Sequence, residues 1–132
     1  MRQVASILAA PTGQVGDINV LLVEGEGLDA RDYELVVIFS IIGKYGGMRT
    51  LQYLAVFASL ASRETTAREL MAVRMVGSTG SRYFRAEKSS VEKGGIRLRG
   101  ASWREQDSTC CPTDTAEAFF KIVDENIVET HQ

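Results

Sequence analysis

The chain alternates between apolar runs and short polar or glycine-rich breaks, and several runs carry the period of two that marks β-strands. Residues 18–23 form a first β-rich run, ended by Glu24-Gly25-Glu26-Gly27. Residues 33–42 form the strongest run, in which Val36, Val37, Ile38, Phe39, Ile41 and Ile42 leave few polar positions. Such continuous apolarity implies a central strand or one buried on both faces. Lys44-Tyr45-Gly46-Gly47 then supplies a turn, because paired glycines reach positive φ freely. Over residues 50–60, Leu51, Tyr53, Ala55 and Phe57 alternate with Gln52, Leu54 and Val56. These two runs predict a hairpin.

Residues 69–77 carry mixed signals. Leu70-Met71-Ala72 favours helix, whereas Val73-Arg74-Met75-Val76 alternates as a strand does. The turn-like Gly77-Ser78-Thr79-Gly80-Ser81 that follows selects the strand. Residues 83–92 alternate loosely, Lys93-Gly94-Gly95 turns, and Ile96-Arg97-Leu98-Arg99 alternates strictly, which predicts a second hairpin extending to Trp103. Residues 107–114 read as a loop. Residues 116–129 close the chain with Phe119, Phe120, Ile122, Val123, Ile127 and Val128, and Asp124-Glu125-Asn126 offers a turn inside them. At the other terminus Val4, Ile7 and Leu8 sit at helical spacing, so a short helix is expected over residues 2–10, stopped by Pro11-Thr12-Gly13. The expected fold is mainly β: an antiparallel meander of about seven strands, curled into a sandwich or open barrel, with one short N-terminal helix as a lid. No connection holds a crossover helix, which disfavours parallel βαβ units.

Length and charge narrow the picture. A chain of 132 residues fits a single domain, residues 1–132, and buries roughly two-thirds of its unfolded surface on folding. Fifteen basic against 17 acidic residues give a net charge of -2, too balanced for a nucleic-acid binder. The longest apolar runs are far shorter than the roughly 20 residues a spanning helix needs, so no membrane insertion is expected. Arg97, Arg99 and Arg104 lie near Trp103, a pattern that suits either a nucleic-acid or sugar face or the solvent side of an amphipathic strand. The balanced charge favours the solvent side.

Catalysis and cofactors find little purchase. His131 is the single histidine and sits one residue from the end, so a Ser-His-Asp or Cys-His site would rest on a chain terminus. No Gly-x-Ser-x-Gly elbow is present. Glu24 with Glu26, and Asp29 with Asp32, lie in turn-like stretches and lack the Asp-x-Asp-x-Asp-Gly spacing of a calcium loop. The chain is therefore read as a non-enzyme without cofactor or metal.

Two motifs remain. Cys110 and Cys111 are adjacent. Neighbouring Cα atoms stand roughly 3.8 Å apart, below the usual disulfide range of about 4.4 Å or more. The pair is either a vicinal bridge fixing a tight turn or two reduced thiols packed as small apolar groups. The segment Asp107-Ser108-Thr109-Cys110-Cys111-Pro112-Thr113 resembles a Cys-Cys-Pro-Ser/Thr signature of exported bacterial β domains, and Met75-Val76-Gly77, Arg82-Tyr83 and Gly94-Gly95-Ile96-Arg97-Leu98 extend the likeness over the C-terminal half. That resemblance implies the periplasm, with a signal peptide already removed.

The second motif is Gly77-Ser78-Thr79-Gly80-Ser81-Arg82. It lacks the Gly-Lys-Ser/Thr ending of a phosphate loop. It is either a plain hairpin turn or a small-residue loop able to enter a partner's cleft. With this loop, its size and its β pattern, the chain resembles periplasmic immunity proteins of type VI secretion that block peptidoglycan amidases. The resemblance implies a protein partner, a secreted cell-wall amidase. Ser78 and Ser81 would hydrogen-bond polar catalytic groups there, and Arg82 would anchor the rim. A periplasmic small-ligand-binding β-barrel is the alternative, and it needs an internal cavity.

Overall fold

A computed structural model of the chain describes residues 14–23, 35–43, 49–59, 68–92 and 94–131. Nine strands are found among them: β1 (Gln14–Val23), β2 (Leu35–Ile42), β3 (Thr50–Ser59), β4 (Arg68–Ser78), β5 (Arg82–Phe84), β6 (Ser90–Glu92), β7 (Gly95–Ser102), β8 (Asp114–Val123) and β9 (Asn126–Thr130). Every pairing is antiparallel. One sheet runs β1-β2-β3-β4 as a plain meander, and the other runs β5-β7-β8-β9 with β6 also on β7.

The count exceeds the seven strands expected, for two local reasons. Residues 83–92 do not run through as one strand. The turn Ala86–Lys88, a 3-10 helix, breaks them into β5 and β6, and both fragments lie along the same strand, β7. Ser89 stabilises the break: its hydroxyl donates to Arg85 O (2.7 Å) and accepts from Arg99 N (3.1 Å), replacing ladder bonds. Residues 116–129 fold back on themselves as β8 and β9, with Asp124 (φ 50°) and Glu125 (φ 63°) both left-handed at the turn. Two such residues make the tight mirror-image turn that suits strand twist. The strand containing Ile96 ends at Ser102 rather than at Trp103. That 3-10 turn is the one helical stretch among the described residues. The helix expected over residues 2–10 and the turn at residues 44–47 lie outside them.

The period-two pattern explains the layering. Val36 and Ile38 of β2 and Leu54 and Val56 of β3 point to one face, where they pack with Val76, Phe84, Ile96, Leu98, Phe120 and Ile127. This is the interior between the two sheets. Each fully buried aliphatic or aromatic side chain there contributes about 1.5–3 kcal/mol. The alternate residues Val37, Phe39, Ile41, Leu51, Tyr53, Ala55 and Phe57 form a second buried apolar cluster on the opposite face. The rings of Phe39 and Tyr53 stack there, with centroids 5.5 Å apart. The central strand of the first sheet is thus buried on both sides, as its continuous apolarity implies.

Polar ties join the sheets at their margins. Arg82 of β5 donates both terminal nitrogens to Glu129 of β9 (2.9 and 2.6 Å) and its Nε to Val76 O of β4 (2.8 Å). Arg74 of β4 donates to Ile127 O (3.1 Å) and adds charge 4.0 Å from Glu129. The hydrogen bonds from Arg82 hold the Glu129 carboxyl below the usual carboxylate range, helped by the positive charges of Arg82 and Arg74 and opposed by partial burial. A depressed folded pKa means that this pairing stabilises the protein fully above the unfolded value of about 4.3 and is lost as pH falls through the folded value. At pH 7, Glu129→Gln is expected to cost about 1–2 kcal/mol and lower Tm by about 3–8 °C. Melting curves from pH 7 to pH 3 should show the gap between wild type and variant closing. A gap that stays constant with pH would remove the ionic account.

Candidate functional site

The two motifs singled out in sequence meet at one end of the sandwich. The strand registers put Ser78 opposite Leu51, Arg82 opposite Ser102, and Ser102 opposite Asp114. The loop after β4 and the loop before β8 therefore emerge side by side.

Within the first loop the six residues divide. Gly77 and Ser78 belong to β4 and are buried. A Cβ on Gly77 would stand 2.5 Å from Arg82 O, so glycine lets the returning strand approach. Arg82 begins β5, and its guanidinium is committed to Glu129 and Val76 while lying over the Phe84 ring at 5.1 Å. Only residues 79–81 form the tip. Ser81 N donates to Ser78 O (3.0 Å), which closes a four-residue turn, and Gly80 has φ +89°, a conformation glycine adopts without strain. Gly80 and Ser81 are exposed and Thr79 is half-buried.

The tip is held from both sides. Thr79 N donates to Thr50 O (2.9 Å), and Thr50 N donates to the Thr79 hydroxyl (3.0 Å). On the other flank Trp103 N donates to Ser81 O (2.9 Å). Sequence spacing marks a flexible-looking Gly/Ser turn, yet its neighbours in space fix it. No local signal could have shown this, because Thr50 and Trp103 lie more than twenty residues away along the chain.

The second loop carries the disulfide. Cys110 and Cys111 are bonded to each other, and both are exposed. The bridge closes only a local ring, so loop stability comes from other groups. Trp103 Nε1–H points at the carbonyls of Ser108 and Thr109 (3.1 Å each). Cys111 N donates to Ser108 O (3.0 Å). Asp107 gathers the ends: it accepts from Arg104 N (2.7 Å), Thr113 N (2.9 Å) and the Thr113 hydroxyl (2.8 Å). The Arg104 amide is the main reason its carboxyl sits below the usual range, with the Thr113 donors adding to it. Protonation through that depressed pKa should loosen the loop in acid. Asp107→Asn is expected to speed amide hydrogen exchange at Arg104 and Thr113 and to leave Tm unchanged. Unaltered exchange at both amides would show that Asp107 does not brace the loop.

Between the loops lies an open cleft of about 490 Å³, lined by Arg49, Thr79, Gly80, Ser81 and Thr109. Its chemistry is hydroxyl groups beside one guanidinium. Arg49 carries no sequence motif and sits at the entry to β3, so only the fold brings it here. The other basic residues near Trp103 are spoken for: Arg97 pairs with Glu92 (2.8 Å), Arg99 with Glu117 (2.7 Å) and Arg104 with Asp114 (3.6 Å).

A smaller cleft of about 230 Å³ opens elsewhere between β1, β2 and the turn after β5, beside Asp17, Ser40, Gln52 and Arg85. Ser40 already accepts from Asp17 N there (3.0 Å), and Gln52 is bonded to the Phe84 backbone. Apolar side chains from both sheets pack together in the interior, and Ile38 and Phe84 of that cluster also line this cleft. Among those residues no three His, Cys, Asp or Glu converge as metal ligands, and no helix is long and apolar enough to cross a membrane. Both cysteines are consumed in the bridge and offer no thiolate.

Comparison of the chain with protein-family models, with curated proteins and with solved structures finds no match.

Proposed function

We propose that this chain is a periplasmic inhibitor of the immunity type, which neutralises a secreted peptidoglycan amidase by placing residues 79–81 in the enzyme's groove. The observation that carries the reading is the tip itself. It is small, hydroxyl-bearing and exposed, and it is fixed by Thr50 on one side and Trp103 on the other. A loop ordered before binding loses little conformational entropy on docking, which favours tight inhibition from a small contact. Ser81 is the hydroxyl placed to meet polar catalytic groups. Ser78 supports the turn from β4, and Arg82 holds β5 in place through Glu129. The exposed disulfide supports residence in an oxidising compartment such as the periplasm.

The test is inhibition of sacculus hydrolysis by the exported amidases of a type VI donor strain. Ser81→Trp keeps the turn bond, which is made by the backbone, and adds bulk at the exposed tip. It should weaken inhibition by about tenfold or more, the equivalent of 1.4 kcal/mol, with Tm unchanged. Equal inhibition by wild type and variant would sink the assignment of the tip.

A further inference from the structure

Among the described arginine side chains, pairing with a carboxylate has one exception. Arg74 and Arg82 reach Glu129, Arg85 reaches Glu87, Arg97 reaches Glu92, Arg99 reaches Glu117 and Arg104 reaches Asp114. Arg49 alone reaches no carboxylate. It is exposed, and it lines the cleft between the two loops together with Thr79, Gly80, Ser81 and Thr109. None of these described lining residues is acidic. The Arg49 carbonyl accepts from Gly43 N (2.9 Å), and the next residue, Thr50, is the one bonded to the tip. The guanidinium is therefore rooted on backbone that is fixed relative to residues 79–81.

A planar guanidinium offers paired donors that match the two oxygens of a carboxylate. The Ser81 and Thr109 hydroxyls, on the cleft walls, can donate to the same group. A guanidinium without a carboxylate partner, where the other described arginine side chains have one, is open to an external anion.

We propose that Arg49, flanked by Ser81 and Thr109, is a carboxylate-binding subsite that receives an aspartate or glutamate side chain from the rim of the partner enzyme's groove. The source of the carboxylate rests on the inhibitor reading; the anion site does not. Arg49 takes the rim-anchoring role for which Arg82 is unavailable, since Arg82 is committed to Glu129. The pairing steers the partner toward the tip, so it acts on association rate more than on residence time.

Two experiments separate the site from the inhibitor reading. In the first, N-acetyl-glutamate N-methylamide is titrated into the labelled full chain and followed by NMR. Saturable shifts are expected at the Arg49 Nε–H and at the Gly80 and Ser81 amides. The N-acetyl-glutamine analogue should bind about threefold more weakly, the scale of an exposed ion pair, and Arg49→Gln should weaken binding of the glutamate probe by a similar factor at unchanged Tm. Equal shifts with both analogues, or shifts spread evenly over Arg85, Arg99 and Arg104, would overturn the subsite. In the second, Arg49→Glu should slow association with the amidase at low salt, and the difference should shrink as salt rises. Tighter binding of a muramyl-tripeptide than of the enzyme would overturn the assignment to a protein carboxylate. Loss of inhibition in Ser81→Trp with no effect of Arg49→Glu would likewise overturn this subsite while sparing the tip.

Discussion

Gln52→Ala is expected to lower the melting temperature by about 5–10 °C, the largest stability loss foreseen for a single polar side chain in this fold. Gln52 is 4% exposed and Phe84 is 1% exposed. The carboxamide of Gln52 donates to Phe84 O and accepts from Phe84 N, both at 2.8 Å. One side chain thus supplies both halves of a strand-like bond pair, linking β3 in one sheet to β5 in the other. Alanine would leave a buried N–H and a buried C=O without partners. Each orphan costs about 1–3 kcal/mol, less whatever water recovers by entering from the neighbouring cleft. A net loss of about 2–3 kcal/mol follows. Gln52→Glu fills the same space but sets an acceptor against the Phe84 carbonyl, so it should not rescue the loss at neutral pH. Thermal melting followed by circular dichroism decides the matter: a fall of less than about 2 °C in Gln52→Ala would mean that the pair contributes nothing net.

Gln52 also shows what a sequence hides. In the alternation of residues 50–60 it occupies a position on the same face as Leu54 and Val56, where a polar side chain breaks the pattern. That break is visible in the sequence, but its partner is 32 residues away. The strands around it are well signalled. The apolar run of residues 33–42 and the alternation that follows predict the β2–β3 hairpin, and β4 follows from the Gly/Ser turn signals at its end, though the strand runs on through Ser78. The turn at Asp124-Glu125-Asn126 lies where the residue types suggest, between two strands of one hairpin. By contrast, the break at Ala86–Lys88 has no glycine or proline to announce it and depends on Ser89 reaching β7.

The candidate site was legible in pieces. Its two loops announce themselves by composition, Gly/Ser in one and Cys-Cys-Pro in the other. The vicinal bridge, one of two readings open for Cys110 and Cys111, is present. The division of residues 77–82 into an exposed tip and a buried base is not written in composition, because it depends on Arg82 finding Glu129, 47 residues later. Arg49 has no motif at all and enters the site only through the register of β3 with β4.

The second large effect concerns inhibition. Replacing residues 78–81 with Asn-Gly keeps a short turn where the chain crosses from β4 of one sheet to β5 of the other, since both residues favour turns. It removes both exposed small residues, the Thr79 link to Thr50 and the Ser81 carbonyl that Trp103 N bonds. Arg82 and Glu129 still tie the strands below it. The variant should therefore stay folded with Cys110–Cys111 intact while the proposed contact with an amidase is gone. The most direct test is the inhibition constant of this variant against the exported peptidoglycan amidase, with Tm and disulfide content recorded on the same sample. Loss of inhibition by about a hundredfold or more in a folded, oxidised protein is the expected result, the scale of an interface's central contacts. An inhibition constant equal to that of the wild type would contradict the account.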